Sequence, residues 1–326
     1  MSRAKVFVTR EIPAAGLDML KERYDVEVNP YDRPLTKEEI IAGVKGKDAL
    51  LPLLTDIIDA EVMDANPNLK IIADYAVGYN NIDIEEATKR GIPVSNTPGV
   101  LTETTADLAW LLMMAVARRL GECERYLRTK EFKGWGPMFL LGTDVYGKTL
   151  GIIGMGRIGK AMAKRAKGFD MRVIYYNSSG AISEEEEKRL EAMYYPLEDL
   201  LKEADFVSLH VPLTKGTRHL IGEKELELMK ETAYIINTAR GPVIDEKALI
   251  AALKEKKIAG AGLDVFENEP LVPKELLQME NVVLAPHVGS ATLETRSRMA
   301  VMAAQNIIAA LNGEEIPNLV NKEVLK

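Results

Sequence analysis

Cysteine and histidine are scarce in this sequence, and positive charge is in the minority. One cysteine, Cys123, and three histidines occur among 326 residues, and the formal net charge is −7. A single cysteine excludes an internal disulfide framework and favours a reducing compartment. The helical surroundings of Cys123 favour a structural thiol over a nucleophile. Because acidic residues outnumber basic ones, we expect no basic face for nucleic acid or anionic lipid, and neither as a partner.

Long apolar runs are missing as well. The most apolar stretch, LAWLLMMAVA (108–117), falls far short of the roughly 20 residues that a membrane-spanning helix needs. The amino terminus, MSRAKVFVTREIP, has a short strand-like run where a signal peptide would have an apolar core and a cleavage site. These absences predict a cytoplasmic protein that does not enter a membrane.

Short apolar strands alternate with helical stretches along almost the whole chain. The predicted strands are KVFVT, VEV, ALLPLL, KIIADY, IPVS, TLGIIG, RVIYY, FVSLHV, AYIINT, AGAGLDV and NVVLAP. Such alternation indicates parallel sheets with crossover helices, and strands without polar alternates indicate sheets covered on both faces. The 326 residues exceed the roughly 250–300 at which single cores stop growing. We therefore expect an α/β protein with two doubly wound parallel-sheet domains.

Two long helices interrupt this pattern. The first is predicted over about 102–127 and is apolar on all sides, so it should be largely buried, between domains or between subunits. Its apolar residues are Leu108, Trp110, Leu111, Leu112, Met113, Met114, Ala115 and Val116. The second helix is predicted over about 292–312 and ends at Asn312 and Gly313, a common helix stop.

A glycine array follows one predicted strand and opens the next helix, in TLGIIGMGRIGKAMAKRAKGF. Gly154, Gly156 and Gly159 form the pattern G-x-G-x-x-G in the strand–turn–helix context that a dinucleotide-binding fingerprint requires. The first glycine permits a tight turn, the second lets the backbone approach a pyrophosphate, and the third lets helix and strand pack closely. The helix amino terminus then faces the phosphates. The array predicts a dinucleotide cofactor, although ordinary turns also contain glycines.

The position that usually contacts the cofactor ribose has no acidic residue. Asn177 stands there, 18 residues after the last glycine of the array, and Ser178 and Ser179 follow. A carboxylate would bind the ribose hydroxyls of NAD and repel a 2′-phosphate, whereas an amide and two hydroxyls can donate hydrogen bonds to that phosphate. Lys188 and Arg189 of the next helix could add positive charge. The pattern favours NADP over NAD, but a plain polar turn that accepts either cofactor also explains it.

One of the three histidines stands apart from the others. His210 lies at a strand end in SLHVP and His219 in TRHLIG; both suit a structural role, and His210 also suits the wall of a cofactor cleft. His287, in VVLAPHVGSAT, comes just past an apolar strand, where open α/β sheets bind their ligands. An imidazole is the natural proton donor for carbonyl reduction near neutral pH. His287 is therefore the candidate acid.

Two further strand ends carry charged candidates. Arg240 and Gly241 follow a strand in IINTARGPVID, and Asp264 and Glu269 follow another in GLDVFENEP. A guanidinium suits a carboxylate or a polarised carbonyl, and Gly241 permits close backbone approach. A carboxylate beside His287 would fix its tautomer and favour the imidazolium form. Each residue alone is more often a surface or salt-bridge group, but three such strand ends after a dinucleotide loop indicate an active site.

Several blocks of the sequence together resemble a known family. The glycine array, NTARGPVID, GAGLDVFENEP, APHVGSAT, DYAVGYNNIDI and TETTADLAWLLMMAVARR are similar to the signature blocks of the D-isomer-specific 2-hydroxyacid dehydrogenases. The resemblance extends from about residue 4 to the carboxyl terminus. It implies that Arg240 binds the substrate, that Glu269 is the carboxylate partner and that His287 is the acid/base.

The resemblance also implies the remaining contacts. Backbone N–H groups of Val77 and Gly78 would bind the substrate carboxylate, and Leu54, in LLPLLTD, is a candidate for the pocket wall. Trp135 resembles an aromatic residue that a partner subunit lends to the substrate pocket; a core or interface tryptophan is the alternative. We expect no metal site. The residues expected to line the cofactor, with Asp264 near the nicotinamide carboxamide, are Gly154, Met155, Gly156, Arg157, Ile158, Gly159, Asn177, Ser178, Ser179, Thr238, Ala239, Asp264 and Gly289.

The fold that the resemblance implies has a Rossmann dinucleotide-binding domain (100–288) inserted in a flavodoxin-like substrate domain (1–99, completed by 289–326). A homodimer would form through the cofactor domain and the first long helix. Within the family, FKGWGPMFLLGTDVYGKTLGIIG resembles the glyoxylate and hydroxypyruvate reductases. This implies NAD(P)H-dependent reduction of a small 2-oxo acid to a D-2-hydroxy acid. The alternatives are a short 3-phosphoglycerate dehydrogenase and a dinucleotide-sensing binding protein of the same fold.

Overall fold

The computed structural model describes residues 3–130 and 132–325. The chain forms two compact units: unit 1 is Met1–Leu101 with Ser290–Lys326, and unit 2 is Thr102–Gly289. Each unit is built on a parallel β-sheet whose strands are joined mainly through helices, since parallel strands need long crossover connections. The predicted α/β class with two parallel-sheet domains is confirmed. Among the described residues, no helix has both the length and the apolarity to cross a bilayer.

The elements follow one another in three stretches of chain. Unit 1 begins with β1 (Lys5–Val8), α1 (Ala14–Lys21), β2 (Asp25–Val28), α2 (Lys37–Val44), β3 (Ala49–Leu51), α3 (Ala60–Asp64), β4 (Ile71–Ala73), α4 (Ile84–Lys89) and β5 (Val94–Ser95). Unit 2 contains α5 (Thr102–Ala117), α6 (Leu120–Thr129), β6 (Thr149–Ile153), α7 (Arg157–Lys167), β7 (Arg172–Tyr176), α8 (Glu184–Leu190), β8 (Ala192–Tyr194), α9 (Leu197–Glu203), β9 (Phe206–Leu209), α10 (Glu223–Leu228), β10 (Tyr234–Asn237), α11 (Glu246–Lys254), β11 (Gly260–Leu263), α12 (Lys274–Gln278) and β12 (Val282–Leu284). The chain then returns to unit 1 as α13 (Leu293–Asn312).

The sheet of unit 1 has the strand order β2-β1-β3-β4-β5, which is the flavodoxin-like order. α13 packs on α1 and closes the apolar core against β1, β3 and β4. The side chain of Thr292 accepts the N–H of Thr295 at the start of α13, and Gly313 ends the helix with φ 71°, a left-handed conformation that glycine adopts without a Cβ clash. The predicted second long helix is therefore confirmed at both ends.

The sheet of unit 2 has the order β12-β11-β10-β9-β6-β7-β8. This is the Rossmann order with one more strand, and its winding reverses between β6 and β9, where doubly wound sheets bind ligands at their carboxyl edge. Every strand predicted from the sequence is present. The sequence does not predict β8, because it is a three-residue edge strand in which Met193 and Tyr194 are 48% and 36% exposed and form no buried apolar run.

The predicted helix over 102–127 is wrong in its length. α5 ends at Ala117 and α6 begins at Leu120, after Arg119 with φ 54°. A left-handed residue does not continue an α-helix. The two residues at the break, Arg118 and Arg119, are neither proline nor glycine, and Gly121 already lies within α6, so the sequence does not predict the break. Burial is also uneven: α5 is largely buried except at residues such as Leu111, which is 54% exposed, while none of the described residues of α6 is buried.

Gly16 determines how closely α1 approaches α13, because a Cβ at this position would lie 2.4 Å from the carbonyl oxygen of Ala300. Alanine is the better helix former by about 1 kcal/mol, but overpacking costs about 1–3 kcal/mol. Gly16→Ala should therefore lower the free energy of unfolding, measured in urea, by up to about 2 kcal/mol. Gly168→Ala is the control, since Gly168 has φ −66° and a Cβ there would meet its nearest atom at 3.4 Å. It should be neutral or stabilising, and equal losses in both variants would contradict the packing argument.

Candidate active site

Three charged side chains follow three neighbouring strands of unit 2. Arg240 comes after β10, Glu269 after β11 and His287 after β12. Because these strands are parallel, their carboxyl ends lie at one edge of the sheet. His287 Nδ1 lies 2.8 Å from Glu269 Oε2, and the two side chains are 25% and 31% exposed. The sheet thus brings together an imidazole and a carboxylate that are 18 residues apart in sequence.

Glu269 carries the negative charge of this pair. Burial alone raises the pKa of its carboxyl, but the hydrogen bond and charge of His287, the N–H of Phe266 at 3.0 Å and the charge of Arg240 outweigh burial and lower the pKa. Glu269 is therefore ionised at neutral pH. An ionised carboxylate can only accept hydrogen bonds, so His287 Nδ1 carries a proton and donates it to Glu269 Oε2.

Asp264 holds the turn on which His287 lies. Its backbone carbonyl accepts the N–H of His287 at 2.8 Å, and its two carboxylate oxygens accept those of Val288 and Gly289 at 2.7 and 2.8 Å. The side chain is buried, and desolvation raises the pKa of this carboxyl in spite of those bonds. His287 itself has φ 54°, a conformation that a non-glycine residue keeps only when its surroundings impose it. Asp264 supplies those surroundings; its contact with a nicotinamide stays a prediction.

The backbone before and after Arg240 is fixed by its neighbours. Asn237 accepts the N–H of Ala239 at 3.0 Å and donates to the carbonyl oxygen of Arg240 at 2.9 Å. A Cβ on Gly241 would lie 1.9 Å from the carbonyl carbon of Phe266, so only glycine lets this turn pass so close to the chain after β11. The predicted close approach at Gly241 is confirmed, and it sets the Arg240 turn against the segment that leads to Glu269.

The glycine array has the geometry of a dinucleotide loop. Gly154 has φ 99°, and a Cβ there would meet the carbonyl oxygen of His210 at 2.6 Å. A Cβ on Gly159 would lie 2.2 Å from the Gly154 carbonyl oxygen, which shows close packing of helix on strand. A Cβ on Gly156 would meet no described atom within 4 Å, so the space above it is open, and no side chain caps the start of α7. The amino terminus of α7 is thus suited to the pyrophosphate of a dinucleotide.

A buried polar atom supports the same assignment. Among the described residues, the Thr238 hydroxyl at the end of β10 is buried without a hydrogen-bond partner, and such a group is costly unless a ligand or water satisfies it. Met155, Arg157 and Ile158 lie in the turn and first helical residues of the array, between its glycines. These residues fit a dinucleotide cofactor.

Asn177 has a structural role that the sequence does not reveal. Its side-chain oxygen accepts the backbone N–H of Met155 at 2.7 Å, which ties the end of β7 to the glycine array. Ser178 and Ser179 are exposed. The two basic residues of α8 already have carboxylate partners on the same helix: Lys188 pairs with Glu184 at 2.6 Å and Arg189 with Glu186 at 3.5 Å.

The predicted substrate residues of unit 1 lie in two loops that are tied together. Tyr75 donates its N–H to the carbonyl oxygen of Pro52 at 3.0 Å, which connects the loop of Leu54 to that of Val77 and Gly78. The N–H groups of Val77 and Gly78 donate to no described residue, as an anion-binding loop requires. In unit 2, Trp135 is 87% exposed, so the core interpretation of this tryptophan is wrong.

The other two histidines lie apart from the His287 pair. His210 Nε2 lies 2.8 Å from the Ser208 hydroxyl, and desolvation lowers the pKa of His210 to about 3, which keeps it neutral. His219 Nε2 lies 2.7 Å from Glu267 Oε1. This second histidine–carboxylate pair was not predicted from the sequence, in which only the FENEP segment, with a glutamate two residues before Glu269, indicates a further carboxylate nearby. No group of three or more metal-binding side chains occurs within residues 3–130 and 132–325.

Comparison with known proteins agrees with this geometry. The family described as D-isomer specific 2-hydroxyacid dehydrogenase, NAD binding domain, matches residues 110–289. The glyoxylate reductase of Korarchaeum cryptofilum is 60% identical over 326 residues, covering 99% of this chain and 98% of that protein. The chain belongs to the D-isomer-specific 2-hydroxyacid dehydrogenase family.

Solved structures place the whole chain in the same family. The TT0316 protein of Thermus thermophilus superposes with a TM-score of 0.90 at 47% identity, covering 97% of this chain and 99% of that one. An NADPH-dependent glyoxylate/hydroxypyruvate reductase of Sinorhizobium meliloti, in complex with NADP and malonate, has a TM-score of 0.86 at 33% identity, covering 99% and 98%. The predicted family and enzyme class are confirmed: the chain is an NAD(P)-dependent dehydrogenase that interconverts 2-oxo and 2-hydroxy acids.

Glu269→Gln should move the pH dependence of 2-oxo acid reduction. The variant removes the negative charge that would favour a protonated His287. A hydrogen bond to a charged group contributes about 1.5–3 kcal/mol when it is buried, and it contributes less at the partial exposure of this pair. At 1.36 kcal/mol per pH unit, the alkaline fall of turnover should begin about one unit lower in pH. Steady-state rates across pH 5 to 10 measure this, and a superimposable profile would contradict the pairing.

Proposed function

We propose that this protein is a glyoxylate reductase that also accepts hydroxypyruvate and forms the D-2-hydroxy acid, with His287 as the proton donor. The observation that carries the proposal is the 2.8 Å pair of His287 and Glu269 at the carboxyl edge of a dinucleotide-binding sheet. Support comes from the relatives named glyoxylate reductase over the full chain length, and from the solved reductase that holds NADP and malonate.

His287 would act as general acid. The reduced nicotinamide supplies the hydride when bound. Glu269 holds the Nδ1 side of the ring, so Nε2 is the nitrogen that would donate a proton to the carbonyl oxygen. After donation the neutral ring retains Nδ1–H on Glu269, and Nε2 takes up a proton from solvent.

Arg240 would position the substrate. It lies close enough to Glu269 to lower the pKa of that carboxyl, so it belongs to the same cluster. A guanidinium suits both the carboxylate of a 2-oxo acid and its polarised carbonyl oxygen. Val77 and Gly78 would add backbone N–H groups for the carboxylate, and Leu54, 36% exposed, would be one wall of the pocket.

NADPH is the favoured cofactor in this proposal, with NADH also accepted. Support for NADPH is the amide of Asn177 and the hydroxyls of Ser178 and Ser179, which lack the charge that would repel a 2′-phosphate. NADH is also accepted in this proposal because the first turn of α8 is acidic and because Lys188 and Arg189 are paired with carboxylates. Neither basic side chain is then reserved for the 2′-phosphate of NADPH. Thr238, Ala239, Asp264 and Gly289 would complete the cofactor site.

A homodimer is part of the proposal, as is a cytoplasmic location. Large apolar side chains of the segment 127–146 are exposed: Leu127 by 64%, Trp135 by 87%, Met138 by 79% and Tyr146 by 68%. Exposed apolar surface of this kind often marks a protein–protein interaction site, and a second copy of the chain would cover these side chains. Trp135 would then be available to the pocket of the partner.

Neither alternative function gains support from a specific observation. A 3-phosphoglycerate dehydrogenase needs positive charge for the substrate phosphate, and no extra basic cluster is evident in the sequence. A sensor that only binds the dinucleotide has no use for an intact acid–base pair, yet His287, Glu269 and Arg240 are assembled.

His287→Asn tests the proposed chemistry. The variant cannot donate the proton, so kcat for glyoxylate reduction should fall by about 10²- to 10⁴-fold. Cofactor affinity, followed by fluorescence of bound NADPH, should stay within about twofold because the glycine array is untouched. Retention of more than a tenth of the kcat would refute the acid role.

Asn177→Asp tests the cofactor assignment. The new carboxylate should repel the 2′-phosphate and raise KM for NADPH more than tenfold, with little change for NADH. The aspartate keeps an oxygen for the Met155 N–H, so the loop should remain in place. Ser179→Ala, which alters an exposed residue without adding charge, is the comparison, and an unchanged ratio of the two KM values in Asn177→Asp would exclude this loop from cofactor choice.

A further inference from the structure

The segment that carries Glu269 makes a second set of contacts. We call residues 264–271, between β11 and α12, the Glu269 loop. Its residue Glu269 faces His287. Two residues earlier, Glu267 faces a different group, formed by Arg218, His219 and the start of α11. The Glu269 loop is thus held at two points, and at each point a glutamate of the loop pairs with a histidine outside it.

Glu267 is held by several partners at once. Its Oε1 lies 2.7 Å from His219 Nε2 and 3.4 Å from Arg218 Nη2. Its Oε2 accepts the N–H of Glu246 at 3.3 Å, and its own N–H donates to Glu246 Oε1 at 3.2 Å. The Glu267 side chain is 16% exposed, so this carboxylate is largely removed from solvent.

These contacts differ from those of an ordinary surface ion pair. Exposed pairs contribute about 0–1 kcal/mol, but Glu267 also has reciprocal bonds with backbone and side chain of Glu246 at the first turn of α11. Two carboxyl groups are brought close together there, and both burial and the charge of Glu267 raise the pKa of Glu246. The reciprocal hydrogen bonds therefore fix the Glu269 loop, at Glu267, against the start of α11.

The Glu267 contacts and the Glu269 contact act on one short piece of backbone. Phe266, directly before Glu267, donates its N–H to Glu269 Oε1 at 3.0 Å. The carbonyl group of Phe266 is in close contact with Gly241. A displacement of Glu267 would therefore move Phe266 and, with it, the carboxylate that meets His287.

We propose that Glu267 is a positioning residue, which holds the Glu269 loop so that the Glu269 carboxylate meets His287 Nδ1. Its importance for turnover rests on the proposed function of His287. Glu267 acts through Glu269 and touches neither substrate nor cofactor in this scheme. Its loss should weaken the His287–Glu269 pair without altering the glycine array, which belongs to a different loop.

The three histidines of the chain make a direct measurement possible. NMR titration of the imidazoles in the full-length protein, without substrate or cofactor, follows His210, His219 and His287 separately. The charged groups that bear on His287 are Glu269 and Asp264, and those that bear on Glu269 also include Arg240. Glu267→Ala should lower the titration midpoint of His287 by about half a pH unit or more, since a looser carboxylate favours the imidazolium less.

Two further variants keep the test decisive if Glu267→Ala folds poorly. Glu267→Gln retains one acceptor oxygen, so it should give a smaller shift of the His287 midpoint in the same direction. His219→Ala removes the nearest partner of Glu267 and should also lower that midpoint. Glu231→Gln, at an exposed glutamate outside the loop, is the matched control and should leave it unchanged. Unaltered His287 midpoints in both Glu267→Gln and His219→Ala would overturn the proposal.

Kinetics separate positioning from a purely structural role. Glu267→Ala should lower kcat about threefold to tenfold, since small displacements at a reacting centre are costly, and should move the alkaline limb to lower pH. KM for the dinucleotide should stay within about twofold, and Glu267→Gln should restore part of the kcat. A loss of kcat with an unmoved pH profile would overturn the proposal. If wild-type turnover does not depend on His287, the proposed function fails, while the substrate-free titration still decides the role of Glu267.

Discussion

The hydrogen bond between His287 Nδ1 and Glu269 Oε2 is the interaction on which the proposed chemistry of this protein depends. It joins groups from two loops, and it forms because β11 and β12 are parallel neighbours whose carboxyl ends lie at the same edge. The pair is partly exposed, so it is accessible to a substrate and still subject to the charges around it. A sheet with a different order of these strands would hold the same residues too far apart to share a proton.

The backbone around the pair is more constrained than the pair itself. Asp264 binds the turn of His287 through three successive N–H groups, and Gly241 closes the gap between the turn of Arg240 and the chain after β11. Both constraints are local: Asp264 acts through hydrogen bonds, and Gly241 acts by lacking a side chain that would clash. The side chains proposed to meet the substrate are therefore held by contacts within the chain itself.

The sequence predicts most of the sheet but not its irregular parts. Strands such as those at 206–209 and 234–237 are fully buried and mostly apolar, so the sequence alone predicts them. The edge strand β8 and the break at Arg119 leave no such trace, because one is half exposed and the other is a single left-handed residue without glycine. Likewise, His287 and Glu269 can be proposed as site residues from the sequence, because each follows a strand. The contact between Glu267 and His219, in contrast, joins residues 48 positions apart. Only tertiary structure shows that contact. The hydrogen bond from the Met155 N–H to the Asn177 side chain was not predicted, and the contact of Asn177 with the cofactor stays a prediction.

The position of Asp264 has one more consequence. The amide groups that it binds, from 287 to 289, are the last of unit 2, and the chain crosses into unit 1 at Ser290. The backbone just before this crossing is thus hydrogen-bonded to the buried carboxylate of Asp264, which follows β11 of the Rossmann sheet. The backbone of His287 is consequently fixed within the cofactor-binding unit, by a residue of that same unit.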